Sequence, residues 1–149
     1  MRKLQLPQPL YRQLRQHGEE AYPHECCGIL LGVLNELKDG ARQITAAIPA
    51  RNISTTPANH YEIAPLDLIR IERAARLANL EIAGFYHSHP DHPAHRSQTD
   101  LAEAHWLGCS YVITEIRAGA AIATRSFYLA GAGEEDKYFE QEEIQVGES

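Results

Sequence analysis

The stretch FYHSHPDHPAHRSQTD, residues 85–100, holds four of the eight histidines of the chain and ends on an aspartate. Alternate side chains of a β-strand point to the same face, so a strand that ends here would project His87 and His89 together. Pro90 cannot continue a central ladder and is expected to end the strand. Two neighbouring imidazoles supply two of the three protein ligands of a catalytic zinc ion, and the third is often a carboxylate.

The aspartate at the end of this stretch is the obvious third ligand. Ser97 is predicted to be the N-cap of a helix, which puts Asp100 in the first helical turn. The loop at 90–96 can bring that turn back to the strand end, where two nitrogens and one oxygen would suit zinc. A plain structural interpretation stays open, since Ser-x-x-Asp is also a helix cap and His-x-His can be surface. The His-x-His pair and the Ser-x-x-Asp pair are each a weak signal alone, and their combination favours a metal site.

A metal ion with an open coordination position also needs a base that takes a proton from water. Glu25, in HECCGILLG, directly precedes a predicted buried strand and is a candidate, although most glutamates in such positions are simply solvated. His92 and His95 share a loop with Pro93 and are predicted to be rim or solvated residues rather than ligands. His105 and Trp106 are predicted to be packing or rim residues.

The length, net charge and cysteine content of the chain argue against several classes of function. The 149 residues fit one domain, and a formal net charge of −6 without a basic stripe argues against nucleic acid or an anionic membrane as partner. Cys26, Cys27 and Cys109 are predicted to be buried thiols rather than disulfides, nucleophiles or metal ligands. We recognise no signal peptide and no apolar run long enough to cross a membrane, so a cytoplasmic protein is expected.

The elements that must position these residues are predicted in the order helix, two strands, helix, strand, helix, two strands. Their predicted bounds are helices at 8–22, 65–78 and 97–108 and strands at 27–36, 42–50, 80–89, 109–116 and 121–130, with hairpins through LKDG and RAGA. HYEI at 60–63 is a further short strand, and 139–146 could add an edge strand. This order predicts a mixed α/β (α+β) fold, with a mixed β-sheet flanked by helices.

These elements resemble the JAMM (MPN-plus) zinc metalloprotease family, whose pattern is an early glutamate, then His-x-His-Pro, then Ser-x-x-Asp after a short loop. Here the pattern is Glu25 in ECCG, HSHP at 87–90 and SQTD at 97–100. The resemblance covers 6–129 and is greatest to the smaller bacterial members. Arg96 departs from the pattern, because many members have a proline before the serine.

The resemblance implies a cytidine-deaminase-like three-layer sandwich. It also implies a single domain over 1–149, with a core at about 6–130 and an acidic, solvated tail at about 131–149. In such a site His87, His89 and Asp100 would bind Zn²⁺.

Catalytic roles follow from the same resemblance. Glu25 would take the proton from the attacking water and deliver it to the leaving amine. Ser97 would donate a hydrogen bond to the oxyanion of the tetrahedral intermediate, where a donor has the largest effect.

Family members cut peptide or isopeptide bonds after the C-terminal Gly-Gly of ubiquitin-like proteins. Small bacterial members are tied to sulfur-carrier proteins, and some release cysteine built onto the carrier. The resemblance implies such a C-terminal tail as substrate, lying along RNISTTPANHYEI at 51–63, where His60 either contacts it or is solvated. A homodimer is left open. Two alternatives also remain: a zinc hydrolase of small peptides or amides, and a non-catalytic MPN-type scaffold, a class that lacks the ligands found here.

Overall fold

The computed structural model describes residues 1–33 and 41–147, and the predicted hairpin at 37–40 lies outside this range, as does the end of the strand before it. The described elements are, in chain order, β1 (Lys3–Leu6), α1 (Gln8–Ala21), β2 (Cys27–Val33), β3 (Ala41–Ala50), α2 (Pro65–Leu77), β4 (Glu81–Pro90), α3 (Gln98–Glu103), β5 (Ser110–Arg117), β6 (Ala120–Ala130) and β7 (Tyr138–Val146). Within this part of the chain, no helix is both long and apolar enough to span a bilayer.

The strands form one mixed sheet in the order β1-β3-β2-β4-β5-β6-β7, which closes because β7 also pairs with β1. Strand β4 is central, antiparallel to β2 and parallel to β5. The predicted mixed α/β fold is therefore confirmed, and the closure of the sheet adds to it.

The two longer helices lie on opposite faces of this sheet. Neighbouring residues of β2 show the division, since Ile29 packs in one buried cluster and Leu30 in the other. The first cluster includes Ile71 and Ala75 of α2, and the second includes Leu14 of α1. This arrangement of helix, sheet and helix is that of the predicted sandwich.

The third helix is shorter than the predicted 97–108. It ends at Glu103, because the backbone of Ala104 is extended, with φ −83° and ψ 116°. The Lys137 ammonium group, from a distant part of the chain, donates hydrogen bonds to the carbonyl oxygens of Ala102 (3.1 Å) and Ala104 (2.8 Å). A tertiary contact thus replaces the further helical turn that the sequence predicted.

The predicted short strand at 60–63 is wrong. Only one isolated bridge forms there, between Asn52 and Ile63. The segment is held instead by the Asn52 side chain, which donates to the carbonyl oxygens of Glu25 (3.0 Å) and His60 (3.1 Å). Its Oδ1 accepts two backbone N–H groups at 3.0 Å. One amide therefore takes the place of a strand ladder.

The predicted strand at 139–146 forms, as β7, but it is not an edge strand and its residues are not all solvated. Strand β7 pairs with β6 on one side and with β1, which the sequence did not predict, on the other. Its Glu142 is buried, forms an ion pair of 3.2 Å with Arg42 of β3 and accepts a hydrogen bond from Ser126 (2.6 Å). Arg42 also donates to the buried Ser110. This polar network inside the protein explains why an acidic strand is part of the sheet.

Replacement of Glu142 by glutamine is expected to lower the free energy of unfolding by about 3 to 5 kcal/mol, because it leaves the buried Arg42 guanidinium without its counter-charge. Chemical denaturation measures this loss. The matched control is Glu143→Gln on the exposed face of the same strand, which is expected to change stability by less than about 0.5 kcal/mol. Equal losses in the two variants would contradict the importance of the buried pair.

Candidate metal centre

Strand β4 carries the two imidazoles of the predicted site at its end. His87 and His89 are 1% and 2% exposed, and their Nε2 atoms are 3.2 Å apart. Ser88, between them, points to the other face, where its Oγ accepts the Cys26 backbone N–H at 2.8 Å. The alternation predicted for this strand therefore places both rings together, between β2 and β5.

The loop after β4 is anchored at several points. The Asp91 N–H donates to the Ile116 carbonyl oxygen (2.6 Å), and the Asp91 carboxylate accepts the Ala118 N–H (2.8 Å). Further along, the Ala94 N–H donates to the buried carboxylate of Glu115 (3.3 Å). These contacts turn the chain back toward the end of β4.

Helix α3 begins where this loop ends, and Ser97 is its N-cap, as predicted. The Ser97 Oγ accepts the Asp100 N–H (2.9 Å), and Asp100 Oδ2 accepts the Ser97 N–H (3.0 Å). The same carboxylate reaches the histidines, with Oδ1 3.2 Å from His87 Nε2 and Oδ2 3.2 Å from His89 Nε2. Asp100 thus completes the helix cap and the side-chain cluster at once.

The cluster fits a zinc ion in both chemistry and size. One ligand atom from each of His87, His89 and Asp100 can face a common centre, and two nitrogens with one oxygen suit zinc. In a tetrahedral zinc site with bonds near 2.0–2.1 Å, neighbouring ligand atoms lie about 3.3 Å apart. The two Nε2 atoms lie 3.2 Å apart, near that spacing, and each also has one Asp100 carboxylate oxygen at 3.2 Å, Oδ1 for His87 and Oδ2 for His89.

The charge states of the cluster also favour a cation. Burial raises the pKa of Asp100, but hydrogen bonds with His87 and His89 outweigh burial and hold that pKa well below its usual range. Burial lowers the pKa of His87, with Asp100 opposing it in part. The pKa of His89 is also pulled down by burial, but the hydrogen bonds with Asp100 and the Pro93 carbonyl raise it overall. A carboxylate that stays ionised is the form a metal binds.

Glu25 lies beside the imidazole pair. Cys27 pairs with His87 in the antiparallel register of β2 and β4, and the same register continued by two residues brings Glu25 opposite His89. Glu25 is only 4% exposed, and its carbonyl oxygen accepts the Asn52 side chain. The glutamate predicted from the sequence as a candidate base is therefore at the cluster rather than in solvent.

The position of Glu25 at the cluster shifts the pKa of its carboxyl group. Burial raises its pKa to about 8; His89 opposes this shift, and the charges of Asp100 and Glu103 add to it. A divalent cation held at the cluster would favour the charged carboxylate and lower that pKa again. The protonation of Glu25 is thus sensitive to charge at the cluster.

The other histidines near the cluster form its surroundings. His92 stacks on His89 with ring centroids 4.2 Å apart, whereas His95 is exposed and meets Phe127 edge-on. His60 is not free in solvent, because its Nε2 lies 2.8 Å from the Glu103 carboxylate. His92 therefore lies at the rim of the cluster, and His95 is exposed beside Phe127.

The thiols and the residues after α3 have structural roles. Burial raises the pKa of Cys26 to about 11, of Cys27 to about 12 and of Cys109 to about 11, so all three remain thiols near neutral pH. Trp106 packs edge-on against the core, and His105 is exposed and bonded to a neighbouring glutamate. The predicted burial of the three thiols and the packing of Trp106 are confirmed.

One residue at the cluster was missed by the sequence. The Tyr61 ring stacks on His87, with centroids 4.4 Å apart and 23° between the planes. The sequence identified its segment as substrate-lining, but no spacing distinguishes Tyr61 from its neighbours. Tyr61 also lines a cleft of about 350 Å³ beside the cluster. The other lining residues are His60, Glu62, Ile63, Leu68, Phe85, Glu103, His105, Trp106 and Tyr111.

Comparison with known families agrees with the fold and with the side-chain cluster. Residues 7–129 match the family described as prokaryotic homologs of the JAB domain. The chain therefore belongs to this family, and its resemblance to the small bacterial JAMM/MPN proteins is confirmed.

The named relatives of this chain include two that are at least 30% identical to it. A desampylase from Haloferax volcanii is 38% identical over 91 residues, which are 61% of this chain and 62% of that protein. A probable TtuB-protein conjugate cleaving protease from Thermus thermophilus is 31% identical over 103 residues, which are 69% of this chain and 64% of that protein. The chain thus spans less than two thirds of the length of each relative.

Solved structures share the fold over nearly the whole chain. A protein from Desulfitobacterium hafniense superposes with a TM-score of 0.80 at 25% identity, covering 98% of this chain and 94% of that one. A JAB1/MPN domain protein from Archaeoglobus fulgidus gives a TM-score of 0.55 at 15% identity, covering 99% and 98%. At 15% identity, the similarity to the Archaeoglobus fulgidus protein shows a shared fold alone.

Proposed function

We propose that this protein is a zinc-dependent metallopeptidase that hydrolyses the peptide or isopeptide bond after the C-terminal Gly-Gly of a ubiquitin-like or sulfur-carrier protein. The observation that carries the proposal is the convergence of His87, His89 and Asp100, with the buried Glu25 beside them. The names of two relatives, a desampylase and a probable protease of TtuB–protein conjugates, support a conjugate as substrate.

The metal would be held by His87, His89 and Asp100, whose Nε2 and carboxylate oxygen atoms face one another. Zinc bound there would polarise the scissile carbonyl and lower the pKa of water, which makes water a nucleophile near neutral pH. The two strand residues and the helix residue come from rigid elements, so the ligand positions need little rearrangement.

Glu25 would move the proton. Its carboxylate takes a proton from the water that attacks the carbonyl carbon, and passes it to the nitrogen of the leaving amine as the C–N bond breaks. Its burial excludes bulk solvent from this exchange and keeps the carboxyl close to the imidazole pair.

Ser97 would stabilise the oxyanion. Its Oγ accepts the Asp100 N–H, and a hydroxyl that accepts one hydrogen bond still has its own O–H to donate. Ser97 is exposed at the start of α3, next to Asp100, where a carbonyl oxygen of the substrate would develop negative charge.

The substrate tail would lie along residues 51–63. This segment is held in place by Asn52 and contributes four residues, 60–63, to the cleft beside the imidazole pair. A Gly-Gly end has no side chains and would need little width to reach the cluster, while the cleft of about 350 Å³ has room for a neighbouring side chain of the conjugate.

The test compares two substrates. The zinc-loaded protein is incubated with a carrier protein that ends in Gly-Gly and is linked to a lysine side chain or to cysteine, and with a short Gly-Gly-Cys peptide. We expect kcat/KM to be at least about tenfold higher for the carrier conjugate, because an extended tail adds binding energy along 51–63. Mass spectrometry identifies a product that ends in Gly-Gly.

The other outcomes separate the alternatives. Equal kcat/KM for peptide and conjugate would favour a hydrolase of small peptides. Zinc binding without cleavage of any substrate would favour an interaction scaffold.

A further inference from the structure

The two imidazoles of the metal centre are held in different ways. His89 donates its Nδ1–H to the carbonyl oxygen of Pro93 at 2.8 Å, which leaves Nε2 free to face the centre. The Nδ1 of His87 is also buried, but it has no hydrogen-bond partner among the residues that the structure describes. Histidines that bind metals almost always use the second ring nitrogen in a hydrogen bond that fixes the ring. His87 must therefore be oriented by another contact.

Tyr61 makes the contact that fits this requirement. Its ring lies almost parallel to the imidazole of His87, with centroids 4.4 Å apart and 23° between the planes. Stacking of this kind opposes rotation of the imidazole out of its plane, because rotation would break the ring-to-ring contact in a close-packed interior. His89 lies against the same imidazole at 5.0 Å in a tilted arrangement, so it does not replace this contact.

We propose that Tyr61 is a positioning residue for the metal: its ring holds His87 with Nε2 directed at His89 and Asp100. The ring, and not the hydroxyl, performs this role, because the stacked contact is made by the faces of the two rings. The inference rests on the proposed function, since it requires a zinc ion at His87.

The backbone that carries Tyr61 is firmly placed. Asn52 bonds to four backbone groups around it, and the carboxylate of Asp67 in α2 accepts the Arg51 N–H (2.8 Å) and Nε–H (3.1 Å). Tyr61 therefore presents its ring from a fixed support outside β4. A consequence is that the segment proposed to contact the substrate also influences metal affinity.

The experiment measures zinc affinity of the full chain by competition with a chromogenic chelator. Tyr61→Phe keeps the stacked ring, and its dissociation constant should stay within about twofold of wild type. Tyr61→Leu removes the ring and should weaken zinc binding by about 10- to 100-fold, the range for loss of a contact that orients a ligand. Tyr61→Met provides a second ring-free variant in case the leucine variant does not fold.

The matched control is Ile63→Ala, which removes a partly buried side chain from the same segment without touching a ligand. It should lower the melting temperature and leave zinc affinity within about twofold of wild type. A second readout uses the metal-free wild-type protein, in which NMR should detect close contacts between the ring protons of Tyr61 and His87.

Several results would overturn the inference. They are wild-type zinc affinity in a folded Tyr61→Leu or Tyr61→Met variant, an equal loss of affinity in Ile63→Ala, or no ring contact by NMR. None of these results changes the zinc binding or hydrolysis measured for the wild-type chain, so the proposed function stands. A wild-type chain that binds no zinc overturns the proposed function together with this inference.

Discussion

Glu25→Gln is expected to lose hydrolysis while the chain still binds about one zinc ion, the number held by a site with three protein ligands. Glutamine has nearly the shape of glutamate but cannot accept a proton, so only the proton transfer is removed. General-base catalysis contributes about 10²- to 10⁴-fold, and kcat should fall by that factor. Zinc content is unaffected because Glu25 is not one of the three side chains that converge. Steady-state kinetics on the conjugate and elemental analysis of the protein measure the two quantities.

Glu72→Gln on the exposed face of α2 is the matched control, since it makes the same chemical change at a residue that is not part of the cluster. Its kcat and zinc content should equal those of wild type. A fully active Glu25→Gln enzyme would contradict the role of Glu25 and require another base. Loss of zinc from Glu25→Gln would instead make Glu25 a fourth ligand.

Much of the metal centre could be predicted because its geometry is local. The spacing of His87 and His89 follows from the period of a strand, and Ser97 and Asp100 form a helix cap that is visible in four residues. The contact of Tyr61 with His87 is different, since it joins a loop to a strand 26 residues later. This contact depends on the hydrogen bonds by which the Asn52 side chain holds the loop. No periodicity in the sequence indicates those hydrogen bonds.

The fold shows the same division between local and distant contacts. Helices α1 and α2 have apolar periodicity and the central strands are continuous buried runs, whereas β1 has only four residues and β7 is rich in acids. Their pairing brings the two ends of the described chain together and depends on the buried Arg42–Glu142 pair. A carboxylate whose partner is 100 residues away looks like a solvated one in the sequence.

Removal of a single ligand is expected to remove the metal and, with it, the activity. Asp100→Asn and His89→Ala should each weaken zinc binding by more than about 100-fold, the upper limit for losing only a contact that orients a ligand. Asparagine is the most informative replacement for Asp100. Its Oδ1 can still accept the Ser97 N–H and cap α3, while the charge of the carboxylate is lost. Competition with a chelator measures the affinity, and hydrolysis at saturating zinc measures the activity.

The same experiment on the wild-type chain separates loss of metal from loss of structure. A chelator should abolish hydrolysis and added zinc should restore it, while circular dichroism of Asp100→Asn should match that of wild type. Wild-type zinc affinity in Asp100→Asn would mean that the ion lies elsewhere, because the carboxylate oxygens 3.2 Å from both Nε2 atoms would then contribute nothing to holding it. Activity in the fully chelated protein would exclude a metal-dependent hydrolase altogether.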